Sequence, residues 1–318
     1  MRLDDYRTSK NVRDQRGSAG SGGGRGFGSG THGRGFRLPV GRGRSVGGGK
    51  IGIGTIIIGL IAVFVFGADP QTLLSGLQGG NVGGNAGNAA GQTSANVGGG
   101  NATESCAVDQ KSKFSCQVLA STEDTWGPIF QNNGQRYQPT VLNFYSQSGQ
   151  SGCGPAQSAM GPFYCPADNG IYLDTTFFDE LATRFGAAGD FAQAYVIAHE
   201  VGHHIQTITG RSAEVRRLQA RGSKAQSNAL QVRMELEADC YAGVWAARNA
   251  ERIERGDIAE GMAAANAIGD DTLQRNAGRR PMPESFTHGT SAQRKNWLQR
   301  GLESGDPASC DTFSAHTL

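Results

Sequence analysis

The feature that most restricts this chain is the stretch "AYVIAHEVGHHIQTITG", residues 194–210, an apolar run holding three histidines and a glutamate but no Lys or Arg. Wound as a helix, it projects His199 and His203 from one face, one turn apart. Glu200 lies roughly 100° round the axis from His199. Histidines at this spacing are a pair of zinc ligands, and the adjoining carboxylate is placed to take a proton from water activated at the metal. Two histidines do not complete such a site. The chain must fold so that a third protein ligand reaches them from another element.

The candidates lie about one helix later, in "RMELEADCYAGVWAA", which carries Glu235, Glu237 and Asp239 among apolar residues. Helical geometry puts Glu235 and Asp239 on one face and turns Glu237 largely away. Two arrangements fit. Glu235 takes the metal and Asp239 accepts the free N–H of a ligand histidine, fixing its tautomer, or Asp239 is the ligand and Glu235 stands outside. His204 is roughly 100° from His203 and cannot join the same tripod; it reads as a helix-surface or supporting histidine. His288, in "SFTHGTSAQR", is a candidate donor to an oxyanion from a loop before the last helix. Equally, that loop reads as a capping cluster in which Thr290 and Ser291 begin the helix. Tyr241 reads as a core residue and Arg294 as half of a structural ion pair.

What surrounds this region is uneven. Of 318 residues 49 are glycine, and more than half of those precede residue 105. Residues 1–50 form a Gly/Arg-rich segment with little to bury, expected to be disordered and cytoplasmic. Residues 51–68, "IGIGTIIIGLIAVFVFGA", carry no charge and as a helix would cover roughly 27 Å, about one bilayer core. Lys and Arg crowd the stretch before it and none follows until Lys111, the pattern of a single transmembrane anchor with its amino terminus inside. Residues 69–102 are a Gly/Asn-rich linker. Residues 103–318 have the composition of one globular domain, expected to lie outside the cytoplasm at the bacterial inner membrane. The net charge of +2 implies no nucleic-acid partner.

Six cysteines, all in that last region, suit disulfides in an exported domain. None shows C-x-x-C spacing, which weakens zinc-ribbon and thioredoxin readings. Fifteen pairings are open. Local closure favours Cys106 with Cys116 and Cys153 with Cys165, leaving Cys240 with Cys310.

Periodicity predicts a short amphipathic helix over 118–133 interrupted near Pro128, a strand in "PTVLNFYSQ", and a second strand over 171–174 running into a helix from Thr176. "GIYLD" is either an edge strand that pairs with a bound peptide or simply part of the sheet. Helices follow over 190–207, ended near Gly210, and over 223–250 and 258–276, with a last one capped by Ser291. A small sheet followed by many helices is an α+β arrangement.

The H-E-x-x-H of "HEVGHHIQ" followed by the E-x-x-A-D of "ELEADCYAG" resembles the gluzincin type of metallopeptidase. With "SGCGPAQSAMGPFYCPAD", "IYLDTTFFDEL" and "SFTHGTSAQR", it is similar to the bacterial putative neutral zinc metallopeptidase family over nearly the whole chain. The resemblance implies a zincin-like domain with one Zn²⁺ held by His199, His203 and Glu235. Asp239 then orients a ligand and Glu200 acts as general base, with His288 a further candidate at the reacting centre. It also implies a membrane-anchored hydrolase whose substrates are extracytoplasmic proteins or peptides. The rival is a non-catalytic envelope zinc-binding or protein-interaction module of the same fold. An intact Glu200 argues against it, because a structural zinc has no use for a base beside it.

Overall fold

The computed structural model describes residues 1–17 and 101–318. The apolar stretch 51–68 and the expected linker up to residue 100 lie outside them, while Asn101 and Ala102, counted with that linker, cap and begin a helix. No helix of the described residues is long and apolar enough to cross a membrane. The architecture is α+β, as expected. A four-stranded sheet runs in the order β1 (Val12–Asp14), β2 (Val141–Phe144), β6 (Gly170–Leu173), β5 (Phe163–Cys165). β1, β2 and β6 are parallel, and β5 runs antiparallel to β6. A separate hairpin pairs β3 (Ser148–Ser151) with β4 (Gly154–Gln157). Its polar, Gly-rich residues give no alternation to read in advance, and Cys153 in its turn is bonded to Cys165 of β5.

"GIYLD" is therefore interior: β6 pairs with β2 on one side and β5 on the other. The reason is its composition, since all four residues of β6 are buried, which suits a strand covered on both faces. Among the described residues β5 is the last strand on that side of the sheet.

Helices occupy most of the remainder: α1 (Ala102–Ala107), α2 (Gln110–Asn132), α3 (Phe177–Thr183), α4 (Asp190–Ile208), α5 (Arg211–Gln219), α6 (Lys224–Arg248), α7 (Asp257–Ala267), α8 (Asp270–Asn276) and α9 (Ser291–Ser304). α2 starts earlier than expected, at a cap where the Asp109 side chain accepts from Ser112 N, and it runs unbroken through Pro128. Pro128 forfeits one backbone hydrogen bond near the helix end, while Trp126 and Phe130 remain buried on either side of it. The single helix expected over 258–276 is two, α7 and α8. At Gly269 between them any side chain would collide with the backbone of Ser291, so the chain breaks to let α9 begin. The cap of α9 is Thr290, in a capping box with Gln293, and Ser291 is the first helical residue. The cap of α6 is Ser223, paired in the same way with Gln226.

Residues 1–17 correct the expectation that the whole of 1–50 is unstructured. Val12 registers with Leu142, Met1 and Leu3 are buried in the main core, and the Met1 amino group lies 2.8 Å from Asp190 and 3.0 Å from Asp257. Asn11 and Ser9 both donate to Glu123 of α2. A short strand of mixed polarity looks like linker in sequence. Here its few apolar residues fill gaps that α2 and β2 leave.

The core sits between α2, α4, α6 and α9. Phe191 of α4 stacks on Trp245 of α6 at 6.1 Å, and the Trp245 indole donates to Ser121 of α2. Close helix approach at two places sets the frame. A Cβ on Gly202 of α4 would come within 2.9 Å of Ala238 backbone on α6. Gly243 of α6 and Gly301 of α9 likewise leave no room for side chains against each other's helices. All three expected disulfides are present: Cys106–Cys116, Cys153–Cys165 and Cys240–Cys310. The last ties the C-terminal segment to α6.

Candidate metal centre

The site forms where α4 crosses α6. α4 opens at Gly189, ends before left-handed Gly210, and is apolar nearly all round, the mark of a buried helix. Because Gly202 lets α6 approach so closely, Glu235 comes level with both histidines. His199 Nε2 is 3.3 Å from Glu235 Oε2, and His203 Nε2 is 3.6 Å from Glu235 Oε1. A tetrahedral ion with bonds of about 2.0–2.2 Å keeps its ligand atoms roughly 3.3–3.6 Å apart. The donor types suit zinc, both His–Glu separations fall in that range, and the three residues can offer ligand atoms within 4.8 Å of one another, a group able to hold a metal ion.

Each donor is aimed by another contact. The Nδ1 of His199 is 2.8 Å from Asp239 Oδ1, which leaves Nε2 directed at Glu235. Asp239 is wholly enclosed, accepting from Tyr195 at 2.6 Å and from Arg294 at 2.9 and 2.8 Å. Glu235 accepts at 3.0 Å from Gln231. Of the two arrangements open at the outset, the contacts follow the first: Glu235 lies beside the Nε2 atoms of both histidines and Asp239 beside His199 Nδ1. Arg294 is the ion-pair partner expected, and its partner is Asp239 itself.

Charge follows the same plan. Burial raises the Asp239 carboxyl, but Arg294 and His199 outweigh it and hold it below its usual value. Burial likewise opposes ionisation of Glu235, yet His203 and His199 keep it well below the ordinary range. Burial would lower His199, while Asp239 and Glu235 push it up to about 9. The field between these groups thus favours a cation. Glu200 is different: burial raises its carboxyl, and the nearby histidines only partly offset that. A carboxylate raised in this way accepts a proton more readily.

Glu200 lines a cleft of about 450 Å³ together with His199, His203, Glu235 and His288. Its walls include Met160, Phe163, Phe177, Phe185, Val215 and Met234. His288 is 29% exposed there, its Nδ1 3.2 Å from Asp270. Asp270 also accepts from the backbone N–H groups of Thr287, His288 and Gly289. The loop is therefore fixed by one carboxylate, and Asp270 is a part of the site that sequence reading missed. His204 is neither at the surface nor in contact with the tripod. It is buried, its Nε2 2.6 Å from Gln138 O and its Nδ1 3.1 Å from the Tyr164 hydroxyl, joining α4 to β5. Tyr241 packs against the core, edge-on to Trp126. Glu237 faces away from the metal ligands, as its helical position requires, toward Gln206 and Arg211.

The chain matches the family described as putative neutral zinc metallopeptidase over residues 1–313. It is 44% identical over 315 residues to the uncharacterized protein YpfJ of Escherichia coli, covering 98% of this chain and 99% of that one. It is 42% identical over 219 residues to the uncharacterized protein Rv2575 of Mycobacterium tuberculosis, covering 64% of this chain and 72% of that one. No solved structure matches.

Proposed function

The chain belongs to the putative neutral zinc metallopeptidase family, and from that premise we propose that it hydrolyses peptide bonds of proteins or peptides outside the cytoplasm. One observation carries the reading: His199, His203 and Glu235 bring ligand atoms within 4.8 Å of one another while Glu200, which is not one of them, lines the same cleft. Zinc held there would acidify water and polarise a carbonyl oxygen. Glu200 is placed to take the proton of the attacking water and return it to the leaving amine. Against the effect of burial, Asp270 raises the His288 imidazole, and the imidazolium so favoured can donate from its other ring nitrogen toward the developing oxyanion. Phe163 and Tyr164 of β5 line the cleft, and the small sheet with its many helices is consistent with a zincin-like domain.

Three disulfides support an extracytoplasmic setting. Residues 51–68 supply the membrane attachment in this proposal. The expected orientation, amino terminus inside and domain outside, separates two parts that pack together here, so the attachment is retained without it.

The test is Glu200→Gln in the purified full chain. The variant keeps the fold and its zinc, while hydrolysis of an unstructured protein falls by about two orders of magnitude or more. Undiminished hydrolysis would rule out this mechanism. Loss of zinc would make Glu200 a ligand. A wild type that binds zinc and cleaves no peptide would favour the non-catalytic module.

A further inference from the structure

We propose that Gln206 is the positioning residue for His203, and that Glu237 and Arg211 hold Gln206 in turn; this rests on the zinc reading above. His203 Nδ1 lies 2.9 Å from Gln206 Oε1, one helical turn along α4. A side-chain amide can turn end for end, and only its oxygen can accept the imidazole N–H. Its orientation is decided by what its nitrogen meets. Gln206 Nε2 is 2.7 Å from the carbonyl of Met234 and 2.9 Å from Glu237 Oε2. The Met234 carbonyl can only accept, so the nitrogen must face it and the oxygen must face His203. Gln206 is fully buried, which leaves no water to substitute for the contact.

The two acceptors flank Glu235 on α6, so the turn that delivers the third ligand also orients the partner of the second. Glu237 is buried beside Arg211, whose Nε is 3.5 Å away. Arg211 in turn reaches Asp311 at 3.4 Å and lies over the Phe313 ring. Those residues follow Cys310, which is bonded to Cys240. The C-terminal segment thereby closes a relay that ends on His203. The two imidazoles are consequently unlike donors: His199 is backed by a carboxylate and His203 by a neutral amide.

The experiment uses the zinc-loaded full chain and follows zinc release into excess chelator, with cobalt(II) absorption as a spectroscopic readout. Gln206→Met keeps the side-chain length and removes the acceptor. Release is expected to quicken by about ten- to a hundredfold, with altered cobalt bands. Thr209→Val, at the cap of the same helix, where the hydroxyl meets only backbone carbonyls, leaves both unchanged. The exchanged pair Gln206→Glu with Glu237→Gln returns an acceptor to Nδ1 and is expected to restore slow release, which a merely structural role would not do. Should Gln206→Met fail to fold, Gln206→Met with Glu237→Leu removes the polar pair together and is read in the same way. Unchanged release and cobalt bands in a folded acceptor-free variant overturn the proposal. A wild type that holds no zinc at all overturns the zinc reading beneath it, and is distinguished by the metal content before any variant is compared.

Discussion

Glu235 and Glu237 are two residues apart on α6 and both buried, yet they meet opposite fates. Glu235 faces His199 and His203, and their partial positive charge holds it ionised. Glu237 faces Gln206 and Arg211, and burial pushes its carboxyl up to about 7. In the proposed centre, replacing Glu235 with alanine would remove a ligand, and replacing Glu237 a support one contact further out. Zinc content measured after dialysis is expected to collapse for Glu235→Ala, with a much smaller loss for Glu237→Ala. Equal losses, or the reverse order, would mean the wrong carboxylate has been assigned. This part of the site was legible because helical period alone fixes which side chains share a face. Gln206 was not legible. A glutamine three residues after a histidine is ordinary on any helix, and its role depends on backbone and side-chain acceptors brought by α6. Asp270 was hidden for the same reason, lying eighteen residues before the histidine it holds.

At the scale of elements, the cap of α6 and the glycine after α4 were readable; the caps of α2 and α9, the break at Gly269 and the crossings were not. Ser223 announced the start of α6, but nothing in one sequence says that Gly202 faces Ala238. The hairpin β3–β4 escaped notice because its ladder and its disulfide stabilise it without an apolar face. The junction after β6 shows how such irregular pieces are tied to the site. Asp174 accepts from Gln147 N at 2.8 Å, from Thr176 N at 3.0 Å, from Thr176 Oγ1 at 2.8 Å, and from Ser158 Oγ. It thereby fixes Gln147, whose φ is +62°, and the Ser158–Met160 turn at the cleft rim. Burial would raise this carboxyl, but the hydrogen bonds from Ser158, Gln147 and Thr176 outweigh it and lower it. A folded-state value below the unfolded value of about 3.9 contributes stability above that pH and loses it as pH falls through the folded value. Asp174→Asn is expected to cost about 1.5–3 kcal/mol at pH 7. Its deficit against wild type should narrow below about pH 4. Urea unfolding of both metal-free proteins at neutral and acid pH measures this; a deficit that stays constant with pH would show that the charge on Asp174 contributes nothing.

For the whole molecule, the decisive fact is that residues 1–17 and 101–318 make one body. Leu3 is 1% exposed within the main core, β1 is a parallel strand of the central sheet, and Arg7 pairs with Glu123 and Asp124 of α2. Burying side chains such as Met1, Leu3 and Val12 stabilises a fold by about 1.5–3 kcal/mol each, a large share of a typical domain's roughly 5–15 kcal/mol. Pulling this segment away would therefore leave a weakened domain. A membrane crossed once between residues 17 and 101 would do just that, so both parts are expected on the same side of any membrane the chain meets. Lys10→Cys and Arg255→Cys place single thiols at exposed positions of the two parts. A membrane-impermeant maleimide applied to cells with a permeable outer layer and an intact inner membrane is expected to label both. Labelling of Arg255→Cys alone, with Lys10→Cys reacting only after lysis, would put the segment inside and abolish the packing described. Labelling of neither before lysis would preserve the single body and instead remove the extracytoplasmic setting, leaving the three disulfides to be explained in a reducing compartment.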